Sequence, residues 1–481
     1  MPPLIDFETA LQLATEGVAP LTTTEMVDLA EASERVLAGA ILADRDLPPF
    51  HRAAMDGYAY CNEHRETSMP VCAHVRAGDT ADVNVPPGSC IGIATGAPLP
   101  TMCDTVVPHE LTDRGDPLCI TEDPPATGAN VHPRSADAKA GQILIGAGQR
   151  LSAAEIGIAA MAGHQSLTVR SRPSVAILTS GDEVVQAGKD PAPHQIRNSN
   201  HPMVATLVAR SGGRCVLHRH LADEPGEVRA AIETAIGQAD VLVTTGGISA
   251  GTHDFLASTL EQLGCRWRIN GVAMKPGKPV RIGDLDGTAV VCLPGNPVSA
   301  LVTGSLFLSP ILRAMLGLTP GPRWRTVRLS EPLRSNTQRT LLRPAHLLDA
   351  DTASVPSWQG SGDLAHLVGT SGLIRLPHVE TAEVGDEVSF TRWPWREDHT
   401  MQIEVQYFAV LADRIGITAD TLELSGDATV AAALDALAER HEIIQVMRPS
   451  LAAAVDNTYV PPQHRLTDGD ILAIIPPVSG G

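Results

Sequence analysis

Aromatic residues are scarce, at 3% of 481 residues, so the cores have to be built from Ala, Val, Leu and Ile. Cysteine is present but unorganised. The eight cysteines, at 61, 72, 90, 103, 119, 215, 265 and 292, include no C-x-x-C pair, which argues against both a zinc site and a disulfide framework. Scattered reduced thiols in a cytoplasmic protein are the expectation. Positive charge is also in short supply: 36 Lys and Arg stand against 55 Asp and Glu, for a net charge of -19. That balance argues against nucleic acid or an anionic membrane as the main partner. It does not exclude a small anionic substrate, because a few lysines can dominate one pocket. No run approaches the ~18 consecutive apolar residues of a membrane span. The stretch from Met1 to Phe7 lacks a basic region followed by an apolar core, so no signal peptide is expected.

What is there reads as several domains. Phe7, Ala10, Leu11 and Ala14, then Met26, Leu29, Ala30 and Val36, recur at helical spacing and predict helix over 7–43, broken by Pro48-Pro49. From 51 to about 148, short apolar runs (Val71–Val75, Cys90–Ala94, Thr105–Val107, Gln142–Ile145) alternate with Gly, Pro and Asp, as in a small β-rich domain. Helix returns at Ser152, where Ser152 and Glu155 have capping-box spacing, and stops near Gly163. Residues 174–318 alternate strands (Ser174–Thr179, Arg214–His218, Val241–Thr245, Ala289–Leu293) with helices, which predicts a largely parallel sheet covered on both faces. Three Gly-rich turns follow three of those strands, at the carboxyl ends where such sheets bind ligands. Residues 323–392 return to short β segments, and a Pro-containing link leads to a ββαββ pattern from Met401 onward.

The expected architecture is multidomain α/β and β. A helical domain (1–50 with 146–172) carries an inserted β-rich domain (51–145). A central α/β domain with a mostly parallel sheet (173–320) and a small β-barrel-like domain (321–394) follow. A linker (395–400) then leads to a C-terminal β-grasp domain (401–481).

Taken singly, each polar motif has two readings. Asp56 in Ala54-Met-Asp-Gly-Tyr-Ala59 is a pocket carboxylate or an ordinary Asp-Gly turn. Thr95 in Thr95-Gly-Ala-Pro-Leu-Pro100 offers a hydroxyl, or only marks a turn. Lys275-Pro-Gly-Lys-Pro279 puts two ammonium groups in one rigid turn, suited to an oxyanion, or is a charged surface turn. Gly246-Gly247-Ile248-Ser249 follows a strand like a backbone anion cradle. Asp182, Glu183 and Asp254 stand at strand ends, as magnesium-positioning carboxylates or as solvated loop acids.

Taken together, and in this order with Leu293-Pro-Gly-Asn-Pro-Val-Ser-Ala300, these motifs make residues 1–395 resemble the molybdopterin molybdenumtransferase family. The resemblance implies adenylated molybdopterin and molybdate as substrates, AMP as leaving group, Mg2+ as cofactor and a homodimer. By motif position it implies catalytic roles for Asp56, Thr95, Glu183, Asp223, Asp254, Lys275 and Lys278, with Glu183 and Asp254 toward the metal ion. Gly246, Gly247 and Ser249 would cradle the pterin phosphate, joined by Pro294, Gly295, Asn296 and Pro297. Asp137 aligns with a family aspartate, but His132, Pro133 and Ser135 depart from its usual context, and a lost arginine there would lower anion affinity.

Residues 401–481 resemble the small sulfur-carrier subunit of molybdopterin synthase. The resemblance rests on Tyr407-Phe-Ala409, Leu466-Thr-Asp-Gly-Asp470 and Pro476-Pro-Val-Ser-Gly-Gly481. It implies that Gly480 and Gly481 thread into other active sites and that the terminal carboxylate becomes a thiocarboxylate. The implied partners are an E1-like activating enzyme and the large synthase subunit. This segment has four arginines, no lysine and eleven acids, so partners with basic grooves are expected. The alternative reading is a scaffold of cofactor assembly in which the β-grasp domain only docks.

Overall fold

The computed structural model describes residues 3–222, 224–247, 255–335, 338–377, 381–396, 400–425, 428–455, 458–462, 464, 466 and 470–476. The chain divides into two units, Thr22–Ser171 and Met1–Leu21 with Arg172–Gly481.

In the first unit, Thr24–Asp28 is a strand paired antiparallel with Ser166–Arg170. This corrects the helix expected over 7–43: helix is confined to Phe7–Thr15, and Leu29–Glu31 is a single 3-10 turn. Pro20 and the β-branched run Thr22–Thr24 disfavour helix there, and Met26, assigned by spacing to a buried face, is 73% exposed. Val27, Leu37, Ile145, Ala159 and Val169 form the local core. The Ala153–Met161 helix does open on the expected capping box, Ser152 N–H donating to Glu155 Oε2 at 2.8 Å. Between these segments lies a four-stranded sheet in the order Val71–Val75, Cys90–Ile93, Gly57–Tyr60, Thr105–Pro108. A two-residue ladder joins Arg52–Ala53 to Val131–His132.

The second unit is built on a six-stranded sheet in the order Arg214–Leu221, Ser174–Ser180, Val241–Thr245, Thr288–Leu293, Arg281–Leu285, Arg266–Asn270. The first four strands are parallel and the last two antiparallel. Strand alternation sends Val175, Ile177 and Val243 to one face, against helices Asn200–Arg210, Pro297–Thr303 and Phe7–Thr15. Ala176, Leu178 and Leu242 go to the other face, against Pro225–Ile236 and Phe255–Gln262. Pro297–Met315 is 19 residues long and apolar enough to cross a membrane by composition, yet 94% of its most apolar stretch is buried inside the protein. It is a core helix.

A second sheet closes on itself: Thr340–Leu347 pairs with both Thr352–Ser354 and Gly372–Leu376, and Arg325–Leu329 and Glu387–Arg392 complete the ring. Val327, Leu341, Ile374 and Phe390 fill it. In the C-terminal segment, Thr400–Tyr407 pairs antiparallel with Ala419–Ser425 and parallel with Ile471–Ile475, over a core shared with helix Val430–Arg440. Thr429 caps that helix by accepting from Ala432 N–H at 3.4 Å.

Candidate active site

Parallel register places three turns side by side. Thr179 is level with Thr245, and Thr245 with Leu293, so the chain leaves the sheet together at Ser180-Gly181, Gly246-Gly247 and Pro294-Gly295. They surround a cavity of about 690 Å³, lined by Glu183, Asn198, Asn200 and Asn296 among others. The two glycines are required by geometry. Gly246 and Gly247 have φ of 86° and 60°, in the left-handed region, and a Cβ on Gly246 would stand 3.0 Å from the Ser180 carbonyl oxygen. Without side chains, their backbones pass close to Ser180 and border the cavity directly. The Asn200–Arg210 helix also begins here, with His201 N–H donating to Asn198 Oδ1 at 3.0 Å, Met203 N–H to Ser199 O at 3.3 Å, and Pro202 carrying no N–H. Asn200 Nδ2 donates to Gly295 O at 2.6 Å, while its Oδ1 is buried and has no partner among the described residues. That oxygen is an acceptor available to a bound ligand.

A second cavity, about 720 Å³, shares Pro279, Pro294 and Asn296 with the first. Lys275 and Lys278 line it as expected, but so do Arg334, Arg339 and Arg343, which no sequence motif singled out. The reason is long-range pairing. Met274–Lys275 joins the closed barrel as a parallel partner of Thr340–Leu341 and draws the lysine turn beside barrel arginines. The one signal in the sequence is the period of two along 339, 341 and 343, which puts these residues on one face of a strand. Arg343 lies over the Trp358 ring at 4.8 Å and donates to Pro356 O at 3.1 Å. Burial pushes its pKa down from the usual arginine value, and the guanidinium remains charged. Asn296 spans the boundary between the cavities, donating to Ser361 Oγ at 2.9 Å.

In the Thr22–Ser171 unit, Asp56 and Thr95 are direct partners. Asp56 Oδ1 accepts from Thr95 N–H at 2.6 Å and from its hydroxyl at 2.9 Å. The Thr95 backbone bond, then its hydroxyl bond, holds the Asp56 carboxyl below its ordinary pKa. Thr95 thus directs its hydroxyl proton at Asp56. Asp137 is not isolated either: His132 Nε2 lies 2.9 Å from Oδ1 and Arg52 4.0 Å from Oδ2. Arg134, held by Asp46 at 2.7 Å, is another cation of this loop cluster. The altered motif around Asp137 therefore keeps a cation nearby, Arg52, on the strand paired with His132.

Asp223, Ser249, Asp254, Gly480 and Gly481 lie outside the described residues. Among the described residues no group of three or more His, Cys, Asp or Glu gathers to hold a metal ion.

Residues 5–163 match the family described as MoeA N-terminal region (domain I and II), residues 176–314 a probable molybdopterin binding domain, and residues 405–481 the ThiS family. A molybdopterin molybdenumtransferase of Nostoc sp. is 34% identical over 374 residues, covering 74% of this chain and 86% of the relative. Molybdopterin molybdenumtransferase 2 of Mycobacterium tuberculosis is 32% identical, covering 76% and 94%. The crystal structure of the molybdopterin biosynthesis moeA protein from Pyrococcus horikoshii OT3 superposes with a TM-score of 0.71 at 26% identity, covering 81% of this chain and all of that one.

Proposed function

Because this chain belongs to the molybdopterin molybdenumtransferase family and carries a ThiS-family domain at its C-terminal end, we propose that it inserts molybdate into adenylated molybdopterin and also supplies sulfur for the dithiolene. The observation that supports this most is the pair of adjoining cavities. One is lined by turns with glycine backbone and amide side chains, the other by two lysines and three arginines. The first suits a pterin phosphate. The Gly246 and Gly247 backbone faces its charge, and Asn200 Oδ1 accepts from a ligand N–H. The second suits molybdate, a compact dianion held by converging cations.

In the reaction, two Mo–S bonds form to the dithiolene as two Mo–O bonds break, and the two oxygens leave as two waters with the two thiol protons and two protons from solution. The phosphoanhydride P–O bond breaks with uptake of one water, and AMP leaves. The metal's sulfur ligands come from the substrate, which is consistent with the unorganised cysteines. Lys275, Lys278 and the three arginines stabilise the negative charge that develops as oxygens are exchanged. In the Thr22–Ser171 unit, Asp56 is the carboxylate to which this reading gives a catalytic role, and Thr95 favours its ionised form. Magnesium, when bound, supplies neutralisation of phosphate charge. Glu183 provides one carboxylate toward it, but Asp254 lies outside the described residues, and the described donors alone do not make a magnesium site. No step here depends on that ion.

The C-terminal domain is read as the sulfur carrier. An E1-like enzyme adenylates the Gly481 carboxylate, sulfur replaces the adenylate, and the large subunit of molybdopterin synthase accepts the thiocarboxylate sulfur. Homodimerisation through the transferase part and a cytoplasmic location belong to the same reading. A scaffold would have no use for the cation-lined cavity. Lys278→Ala is the test: loss of molybdenum incorporation in a protein that still folds supports the insertase, and unchanged cofactor synthesis sinks it.

A further inference from the structure

Behind the pterin-phosphate cavity runs a chain of hydrogen bonds with only one consistent direction. Asn198 lines the cavity. Its Oδ1 accepts from the His201 backbone N–H at 3.0 Å. A backbone N–H can only donate, so the orientation of the amide is fixed. Asn198 Nδ2 therefore donates to Thr179 Oγ1, also at 3.0 Å. Thr179 borders the cavity but is only 2% exposed. Among the described residues, the other partner of its hydroxyl is His220 Nδ1, at 3.0 Å on the adjoining strand, level with Thr179 in register. It can accept that proton only when Nδ1 is bare.

We infer that His220, as the neutral Nε2–H tautomer, is a positioning residue that holds Asn198 in the pterin-phosphate cavity through Thr179, and that the cavity is organised only while His220 is unprotonated. The inference rests on the reading of this cavity as the adenylated-molybdopterin site. Protonation at Nδ1 would aim a second donor at Thr179 Oγ1 and leave the hydroxyl proton without an acceptor. The Asn198 amide cannot turn over to compensate, because Nδ2 would then face the His201 N–H.

The charged and titratable groups packed around His220 have contacts of their own. On the same face of the strand is His218, whose ring stacks on His201 of the Asn200–Arg210 helix with centroids 3.2 Å apart. Burial first, then the neighbouring His201 and His220, push His218 down to about 4, and burial also lowers His201. On the opposite face, Arg219 pairs with Glu227 of the Pro225–Ile236 helix at 3.7 Å. Arg197, next to Asn198 in sequence, is held outward by Lys189 O at 3.0 Å and Asp190 at 3.4 Å.

The test is the affinity of the full chain for adenylated molybdopterin between pH 5.5 and 8, for the unmodified protein, His220→Ala and His220→Asn. Asn places an oxygen near the Nδ1 position and does not titrate. For the unmodified protein, affinity should fall about tenfold between pH 7.5 and pH 5.5. His220→Asn should bind as well at pH 7.5 and lose that acid limb, while His220→Ala should be about tenfold weaker throughout. An acid limb kept by His220→Asn, or His220→Ala binding like the unmodified protein at pH 7.5, overturns the inference. If the unmodified chain binds no adenylated molybdopterin at any pH, the functional reading has failed, and 15N–1H correlation spectra of the histidines decide the relay alone. A bare Nδ1 on His220 at pH 7.5 supports it, and a protonated Nδ1 overturns it.

Discussion

Lys275 is the register partner of Leu341 in a two-residue parallel ladder. This short pairing joins the turn after one sheet to the wall of the barrel, and it puts Lys275 and Lys278 into the same cavity as Arg339 and Arg343. Neither segment alone gathers these cations in one cavity. The pairing does.

The arginines should therefore carry molybdate affinity. Arg339→Ala or Arg334→Ala is expected to weaken a charge-assisted contact by about 1.5–3 kcal/mol, raising half-saturating molybdate roughly 10- to 100-fold. Affinity for adenylated molybdopterin should hardly change. Titrating molybdenum incorporation against molybdate for each variant checks this, and a selective loss of adenylated-molybdopterin binding would put these arginines in the wrong cavity.

Gly246 should not tolerate a side chain. At φ 86°, with Ser180 O 3.0 Å from the position of a Cβ, Gly246→Ala has to strain or shift the phosphate turn. A cost of about 1–3 kcal/mol is expected for backbone held in the wrong region. Calorimetric titration with adenylated molybdopterin should show weakened binding, and thermal melting should show a lower midpoint.

Much of this site could be read from residue order. The turns after Thr179, Thr245 and Leu293 fall at parallel strand ends, as hydrophobic runs alternating with helices imply, and the lysine turn was visible as a motif. The barrel arginines were not, because their placement depends on pairing between segments about 65 residues apart in sequence, and no local pattern encodes that. Met26, Leu29, Ala30 and Val36 misled for the opposite reason. Their helical spacing is accidental, and the strand that holds Met26 is fixed by Ser166–Arg170, which is distant in the chain.

The Asp56 and Thr95 pair makes a titration prediction. Its hydrogen bonds lower the folded-state pKa of Asp56, so whatever stability the pair provides is present above the unfolded carboxylate value, about 3.9. It is lost as pH falls through the lower, folded value. In Thr95→Val the midpoint of Asp56, followed by carboxyl-carbon NMR, should move up toward the ordinary value. An unmoved midpoint would mean that the Thr95 hydroxyl does not lower it and that the backbone N–H, which Thr95→Val keeps, acts alone.

At Ser152, the capping box makes a purely structural prediction. Ser152→Ala removes the side-chain partner of Glu155 at the start of the Ala153–Met161 helix. The expected cost is about 1 kcal/mol, readable as a lower midpoint in urea unfolding with no change in substrate affinity.

The terminal glycines make a covalent prediction. After incubation with an E1-like enzyme, ATP and a sulfur donor, the intact mass of the chain should rise by the difference between sulfur and oxygen, and a chain lacking Gly481 should show no gain. No gain in the full chain, under conditions where a separate carrier is converted, would restrict the C-terminal domain to docking.

The most direct test of metal insertion across two adjoining cavities is anomalous diffraction at the molybdenum absorption edge from crystals of this protein soaked in molybdate. A single strong peak between Lys278 and Arg339, within reach of Asn296, is predicted, and it should disappear in Lys278→Ala. A peak elsewhere, or none at saturating molybdate, would contradict the assignment of that cavity to the metal oxyanion.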